Sequence, residues 1–371
     1  MSAFSGDGFL LHGRSPFPPI AQYAFLSDCE SCALVAPSGA IEWLCLPRFD
    51  SPSIFGAMLD REAGTFRLGP GDVEVPAGRR YVPGTMVLET TWMTRTGWLI
   101  VRDALLIGPW HHDRDRSHTH RRSPTDHDAD HVLLRTVKCV HGTVELHLDC
   151  EPVFEYGEVD CKWDYAGHGY HKAVGSAEDC DIELHLVTDL RLGFEGRRAR
   201  ARSTLHGGET AFVALAWSEH PPPVDYDEAY DRMERTANFW REWLDHGEFP
   251  DHPWRDHLQR SALTLKGLTY TPTGALIAAA TTSLPENAGA WTSGLAQGKN
   301  DFGKTGYGGP SPPEGHGVHH YHFKLYALDR PLDLAPGATK GDLLRAMGGA
   351  VLEGAELVGT YERVGRAALR H

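Results

Sequence analysis

The chain has 371 residues, of which 41% are hydrophobic and 10% aromatic, enough for roughly two to three domains with sizeable cores. Its formal net charge of -14, with no stretch that clusters Lys and Arg, excludes non-specific attachment to nucleic acid or to an anionic membrane surface. Seven cysteines, an odd number with none beyond Cys180, are not a disulfide framework.

Nothing near Met1 has the charged-then-apolar pattern of a signal peptide, and no window reaches the ~20 apolar residues of a membrane span. The expectation is a cytoplasmic protein with reduced thiols and no cofactor. Cys29-Glu30-Ser31-Cys32 has redox or zinc spacing, but it lacks a second pair and reads as ordinary thiols.

Two short apolar runs, Cys32 to Ala36 and Ile41 to Leu46, flank Pro37-Ser38-Gly39 and predict a hairpin. Met86 to Met93, Trp98 to Leu106, Val132 to Val140, Thr143 to Leu148, Ile182 to Leu186 and Ala211 to Trp217 follow as short strands. In one of them Val144, Leu146 and Leu148 alternate with Glu145, His147 and Asp149, so one face is apolar and the other wet. The pattern predicts a mainly β fold, a large antiparallel sandwich over residues 1–220. His111 to His131 is rich in His and Asp and almost devoid of apolar residues, which predicts a solvated loop between two strands and no metal site.

Pro221-Pro222-Pro223 ends the sandwich, because three prolines suit neither a helix nor a central strand. From Asp225, placed as a cap, Tyr226, Tyr230, Met233, Ala237, Trp240 and Leu244 share one helical face. A second helix is expected with Trp254, Leu258, Ser261, Leu265 and Leu268 on its apolar face, stopped by Thr271-Pro272-Thr273-Gly274. In the last segment, Tyr321, Phe323, Leu325 and Ala327 alternate as a strand. Thr339 caps a helix with Leu343, Leu344, Met347 and Val351 on one side, and Ala355 to Tyr361 returns as a strand.

The run FLSDCESCALVAPSGAIEWLCLPRFDSPSIFGAMLD, with Phe154-Glu155-Tyr156-Gly157 and RSALTLKGLTYTPTGALIAAATTSLPE farther on, resembles the N-terminal region of glycoside hydrolase family 15, the glucoamylase- and trehalase-like proteins. The resemblance covers about residues 15 to 286 and implies a β-sandwich leaning on an (α/α)6 barrel. It admits Trp43, Arg48, Phe49 and Asp50 near that interface or the sugar; the residues alone also suit a core role for Trp43 and Phe49 with Arg48 paired to Asp50. An inverting glycosidase needs a carboxylic acid and a carboxylate roughly 6.5–9.5 Å apart. The family draws both from later barrel helices, which Asn287 onward does not resemble. Residues 221–286 are therefore expected to be only the start of an incomplete barrel, with no catalytic residue and no glycosidase activity from this chain alone.

Gly298-Lys299-Asn300-Asp301-Phe302-Gly303, Tyr307-Gly308-Gly309-Pro310-Ser311-Pro312-Pro313, Gly317-Val318-His319-His320-Tyr321 and Ala355 to Tyr361 resemble the second half of the bacterial phosphatidylethanolamine-binding, Raf-kinase-inhibitor-like family. Residues 287–371 are expected to form part of that β fold. The resemblance implies a partial anion pocket lined by Tyr307, Pro310 and His319, whose phenol and imidazole suit an oxyanion. His320 replaces the family's arginine and Ser311 its cysteine. The expected ligands are a small sugar or an anionic small molecule, with self-association through exposed apolar surface. The two resemblances meet at Thr281 to Glu286, which reads as the joint of a fusion.

Overall fold

The computed structural model describes residues 17–109, 127–218, 220–281, 283, 299, 319–330, 332, 334 and 337–361. The chain divides into two compact units, Met1–Leu284 and Pro285–His371.

The first unit is built from β1 (Ala24–Ser27), β2 (Cys32–Val35), β3 (Ala40–Cys45), β4 (Ser53–Phe55), β5 (Thr65–Pro70), β6 (Gly78–Tyr81), β7 (Leu88–Met93) and β8 (Gly97–Pro109). Next come β9 (His127–Glu151), β10 (Val153–Phe154), β11 (Val159–Asp160), β12 (Lys162–Tyr165) and β13 (Lys172–Ser176). Then follow β14 (Leu184–Thr188), β15 (Gly193–Glu195), β16 (Arg198–His206) and β17 (Thr210–Ala216). The expected hairpin is present: β2 and β3 pair antiparallel across Pro37-Ser38-Gly39, with Ala33 opposite Leu44 and Leu34 opposite Trp43.

One strand joins the two faces of the sandwich. The first half of β9 pairs with β8 and β17, and its second half with β5 and β16. The sequence suggests two strands here; the chain runs through without a break and turns at Gly142, in the left-handed region at φ 74°. A Cβ there would stand 2.1 Å from the Thr96 carbonyl oxygen, so glycine is required. Side chains from both faces, among them Leu26, Ile41, Phe66, Trp92, Val101, Leu133, Leu186 and Val213, form one buried core.

β9 also starts earlier than expected. Residues 110–126 lie outside the described residues, but His127 to His131 are strand, because Asp128 and Ala129 pair with Gly108 and Ile107 of β8. Asp128 and Asp130 are accordingly buried, and Asp130 Oδ2 lies 3.4 Å from Arg232 Nη1.

Two helices pack on this sandwich. α1 (Tyr226–Asp245) is capped as its sequence predicts, the Asp225 side chain accepting from the Glu228 amide at 2.8 Å. Its buried side, Ala229, Met233 and Ala237, rests on Val87, Leu106, Leu134 and Phe212. Replacing Asp225 by Ala orphans that amide and is expected to cost about 1 kcal/mol. The check is a lowered thermal midpoint in the alanine variant and little change in Asp225→Asn.

α2 (Arg255–Gly267) differs from expectation. The predicted apolar face is turned outward, with Trp254 60%, Leu258 43% and Leu265 55% exposed. The buried stripe is instead Leu263 and Gly267. Gly267 lets the helix approach β1 so closely that a Cβ would meet the Phe25 ring at 2.9 Å. Arg260 completes the contact, lying 3.8 Å from the centre of the Tyr81 ring and donating to the Thr85 carbonyl at 2.9 Å. Periodicity of large side chains is blind to a stripe made of Arg, Leu and Gly. A small hairpin of β18 (Thr269–Tyr270) and β19 (Ala275–Leu276) follows.

The second unit contains β20 (His319–Leu328), α3 (Lys340–Ala346) and β21 (Val351–Tyr361). β20 and β21 pair antiparallel from His319 opposite Tyr361 to Leu328 opposite Val351. Thr339 and Asp342 form the expected capping box on α3. The expected apolar side of this helix is not buried as a stripe: Leu343 and Leu344 are exposed while Met347 and Ala350 are buried. Gly349, at φ 73°, ends the turn after the helix, so Val351 belongs to the strand. No helix among the described residues is long and apolar enough to cross a membrane.

Candidate functional site

Of the three residues expected to bind an anion, Tyr307 and Pro310 lie outside the described residues. His319 opens β20, its Cα opposite Tyr361. Along the same strand His322, Lys324 and Tyr326 are exposed, as the alternation predicts.

The Trp43 to Asp50 stretch is described in full. Trp43 and Phe49 are buried, and Phe49 meets the ring of Tyr270 edge-on at 6.1 Å between centroids. Arg48 pairs with Asp50 through two contacts of 2.9 Å, both side chains more than half exposed. The reading of these residues as core plus a turn-closing ion pair therefore describes the structure. The Arg48–Asp50 fork still presents donors and acceptors to solvent beside Tyr270.

Behind this rim the last segment of the unit is laced to one face of β2 and β3. Trp43 Nε1 donates to the Ala280 carbonyl at 2.8 Å, and the Cys32 thiol reaches the same oxygen at 3.5 Å. Cys45 Sγ and Ser283 Oγ share a hydrogen bond of 2.9 Å, and the Tyr156 hydroxyl donates to the Ser283 carbonyl at 2.5 Å. Trp43 and Cys45 are two apart on β3 and so project to one face, which is why both meet the same strap. No local sequence signal marks this arrangement, since Trp43 and Ala280 are 237 positions apart.

The Cys29-Glu30-Ser31-Cys32 segment is the β1–β2 turn. Asp28 Oδ1 accepts from the amides of Glu30 and Ser31 at 2.9 and 2.6 Å, and Ser27 Oγ donates to the Gly267 carbonyl at 2.6 Å. Burial pushes the Cys29 and Cys45 thiols up to about 12, the hydrogen bond from Ser283 partly opposing this at Cys45. Both stay protonated at neutral pH and are not nucleophiles. Among the described residues no group of three or more His, Cys, Asp or Glu side chains is placed to hold a metal ion. The rim offers hydrogen bonds and aromatic surface, which suit binding rather than proton transfer.

The same turn carries a pH dependence. Burial raises the Asp28 carboxyl from 3.8 to about 6, against the opposing hydrogen bonds from Ser31 and Glu30. A carboxyl whose folded pKa lies above its unfolded value holds its proton more tightly when folded. Stability should therefore fall as pH rises from about 4 to about 6 and level off above. In Asp28→Asn, which keeps an acceptor for the turn, this component of the slope should vanish. Urea midpoints measured across that range decide it, and an unchanged slope rejects the assignment.

Residues 9–105 match the family described as Trehalase-like, N-terminal, and residues 272–362 match the family Phosphatidylethanolamine-binding protein. The trehalase of Mycolicibacterium smegmatis is 62% identical over 276 residues, and that of Mycobacterium tuberculosis 60% over 276 residues. Each alignment takes in 74% of this chain and 41% of the relative, so the chain spans well under half the length of these trehalases. A UPF0098 protein of Pyrococcus horikoshii is 62% identical over 69 residues, 19% of this chain and 35% of that protein. Both expected resemblances are thus found: the chain joins a region similar to the trehalase-like N-terminal family to a region similar to the phosphatidylethanolamine-binding family.

Proposed function

We propose that this is a protein related to the trehalases and glucoamylases of glycoside hydrolase family 15, acting in α-glucosidic carbohydrate metabolism, and that alone it does not cleave the glycosidic bond. One observation carries the reading: similarity to trehalases runs through 74% of the chain yet only 41% of their length, and similarity to a different family begins by residue 272. Inverting hydrolysis requires two opposed carboxyl groups, which the family resemblance assigns to helices beyond this stretch. A joint within Thr281 to Glu286 between two unrelated sequences accounts for the change. The free thiols support a cytoplasmic setting, where cysteines stay reduced. The outward face of α2 supports self-association. The test is glucose release from trehalose and from maltose by purified protein. None above the blank is expected, and turnover proportional to protein overturns the proposal.

A second reading concerns the C-terminal region alone, which we propose binds a small phosphorylated or anionic ligand through Tyr307, Pro310 and His319. The family match over residues 272–362 favours it. Phosphoethanolamine added to isotope-labelled protein should move the resonances of Tyr307 and His319, whereas unchanged spectra at millimolar ligand reject the reading.

A further inference from the structure

α1 does not cover the whole outer face of its sheet. Where the helix begins, a crevice of about 430 Å³ opens between its first two turns and strands β8, β9 and β17. The ladder fixes its sheet side. Lys138 of the central strand β9 stands between Ile100 of β8 and Thr210 of β17, and two residues earlier Thr136 stands between Arg102 and Phe212. Residues two apart on a strand project to one face, so both rows point the same way. Phe212 lies buried in the cluster that holds α1, whereas Lys138 is exposed.

The polar groups of this crevice lack partners. Thr136 is only 5% exposed, yet its hydroxyl makes no hydrogen bond among the described residues and is not sealed from solvent. A hydroxyl on a buried residue without a protein partner is uncommon, and it calls for a ligand or water. The Thr210 hydroxyl and the Lys138 ammonium likewise make no hydrogen bond or ion pair among the described residues. Arg102 is already committed, donating to Glu89 at 2.9 Å and lying 3.7 Å from Glu234, and Asp227 is exposed on the rim. Lys138 is therefore the charge left for a ligand, with a hydroxyl beside it along its own strand and another across the ladder.

The helix side is apolar. Tyr226 and Tyr230, one turn apart on α1, stand with ring centroids 6.4 Å apart and planes at 28°, and Met233 and Ile100 extend the surface. Burial raises the Tyr226 phenol, the Arg102 charge partly opposing it, so this hydroxyl stays protonated at neutral pH. An ammonium between hydroxyls, facing aromatic and aliphatic walls, matches a molecule with one anionic group on a flat apolar body. An inorganic anion would leave the rings uncovered, and a neutral apolar molecule would leave the ammonium and hydroxyls unsatisfied. We infer that this crevice binds a small aromatic carboxylate, its carboxylate held by Lys138, Thr136 and Thr210 and its ring packed against Tyr226, Tyr230 and Ile100. The volume lies within the ~300–1,000 Å³ range of small-molecule sites.

The probe is 2-naphthoate, followed by calorimetry and by saturation transfer from the full-length protein. Wild type should bind with a Kd on the order of 1 mM. Lys138→Gln removes the charge and should weaken binding by roughly tenfold. Tyr230→Ala removes an aromatic wall and Thr136→Val a hydroxyl, and each should weaken it by roughly fivefold. Lys138 and Tyr230 are exposed, so their variants report even if Thr136→Val perturbs the sheet. Two further ligands separate the parts of the site: 2-naphthylmethanol carries the rings without the charge, inorganic phosphate the charge without the rings, and both should bind at least tenfold more weakly. The inference is overturned if wild type does not bind 2-naphthoate, if Lys138→Gln binds it as well as wild type, or if either control ligand matches its affinity. His319→Ala separates this site from the anion pocket proposed for the C-terminal region: binding lost in His319→Ala and kept in Lys138→Gln assigns the ligand to that pocket and overturns the inference, and the reverse pattern supports it.

Discussion

Replacing Arg135 by leucine is expected to destabilise the first unit by about 3–5 kcal/mol, the loss typical of one partner removed from a buried ion pair. The guanidinium is fully buried, donates from Nε to Asp103 at 2.8 Å, and reaches the carbonyls of Phe66 at 2.7 Å and Gly39 at 2.6 Å. It also lies 4.9 Å from the centre of the Phe66 ring. Leucine fills part of the volume but leaves a buried carboxylate without its counter-charge and two carbonyl oxygens without donors. Arg79 also acts on Asp103 electrostatically, but its terminal nitrogens donate to the Gln22 and Val35 carbonyls and Asp103 Oδ2 has no hydrogen-bond partner, so no hydrogen bond stands in for the lost one. The urea midpoint followed by tryptophan fluorescence should drop with little change in slope. Arg135→Leu combined with Asp103→Leu removes the orphaned charge and should recover much of the loss. A single variant as stable as wild type would mean that water reaches this pair, contrary to its geometry.

Arg135 also marks where reading the sequence stops. Val132 to Val140 is legible as a strand because Val, Leu and Thr dominate it, but an arginine in its middle looks like a solvent-facing residue. Only the ladder reveals its role. On β9, Arg135 stands opposite Asp103 of β8 and Val213 of β17, in the central strand of three. Short-range features were legible for the same reason that this one was not. The β2–β3 turn, the Asp225 cap and the Thr339 capping box are set by residues within four positions of one another. The 25-residue span of β9, the burial of Asp128 and Asp130, and the strap from Ala280 to Ser283 depend on partners far along the chain.

The candidate sites divide in the same way. The Arg48–Asp50 pair is two residues apart and could be read directly. The crevice draws Ile100, Lys138, Thr210 and Tyr226 from four separate stretches, and no spacing rule connects them. For α2 the sequence misleads, since its large apolar residues are not those that pack. That outward face bears on the proposed function. A helix that buries only Leu263 and Gly267 while exposing Trp254, Leu258 and Leu265 has an apolar side that two helices on a sandwich do not cover.

What holds those helices leads to the second large effect. Trp240 of α1 is fully buried in a cluster with Cys29, Met86, Ile107, Leu244 and Leu263, which joins the β1–β2 turn, the end of β8 and α2. Phe239 packs edge-on against it with centroids 5.0 Å apart. Trp240→Ala should cost about 3–5 kcal/mol, because the cavity opens where three elements meet and none can collapse into it alone. The loss should be local. Ala229, Met233 and Ala237 keep the first half of α1 on the sheet through a separate cluster, so limited proteolysis of the variant should open new sites between residues 240 and 281 while cleavage within the strands of residues 24–109 and 127–216 stays as in wild type. Trp240→Phe is the discriminating control. The indole N–H has no partner, so phenylalanine loses volume but no hydrogen bond and should retain most of the stability. If Trp240→Ala leaves both the urea midpoint and the cleavage pattern unchanged, the helices are held by some other contact. If it makes the whole first unit protease-sensitive at once, sandwich and helices unfold as a single cooperative body and the two clusters are not separable.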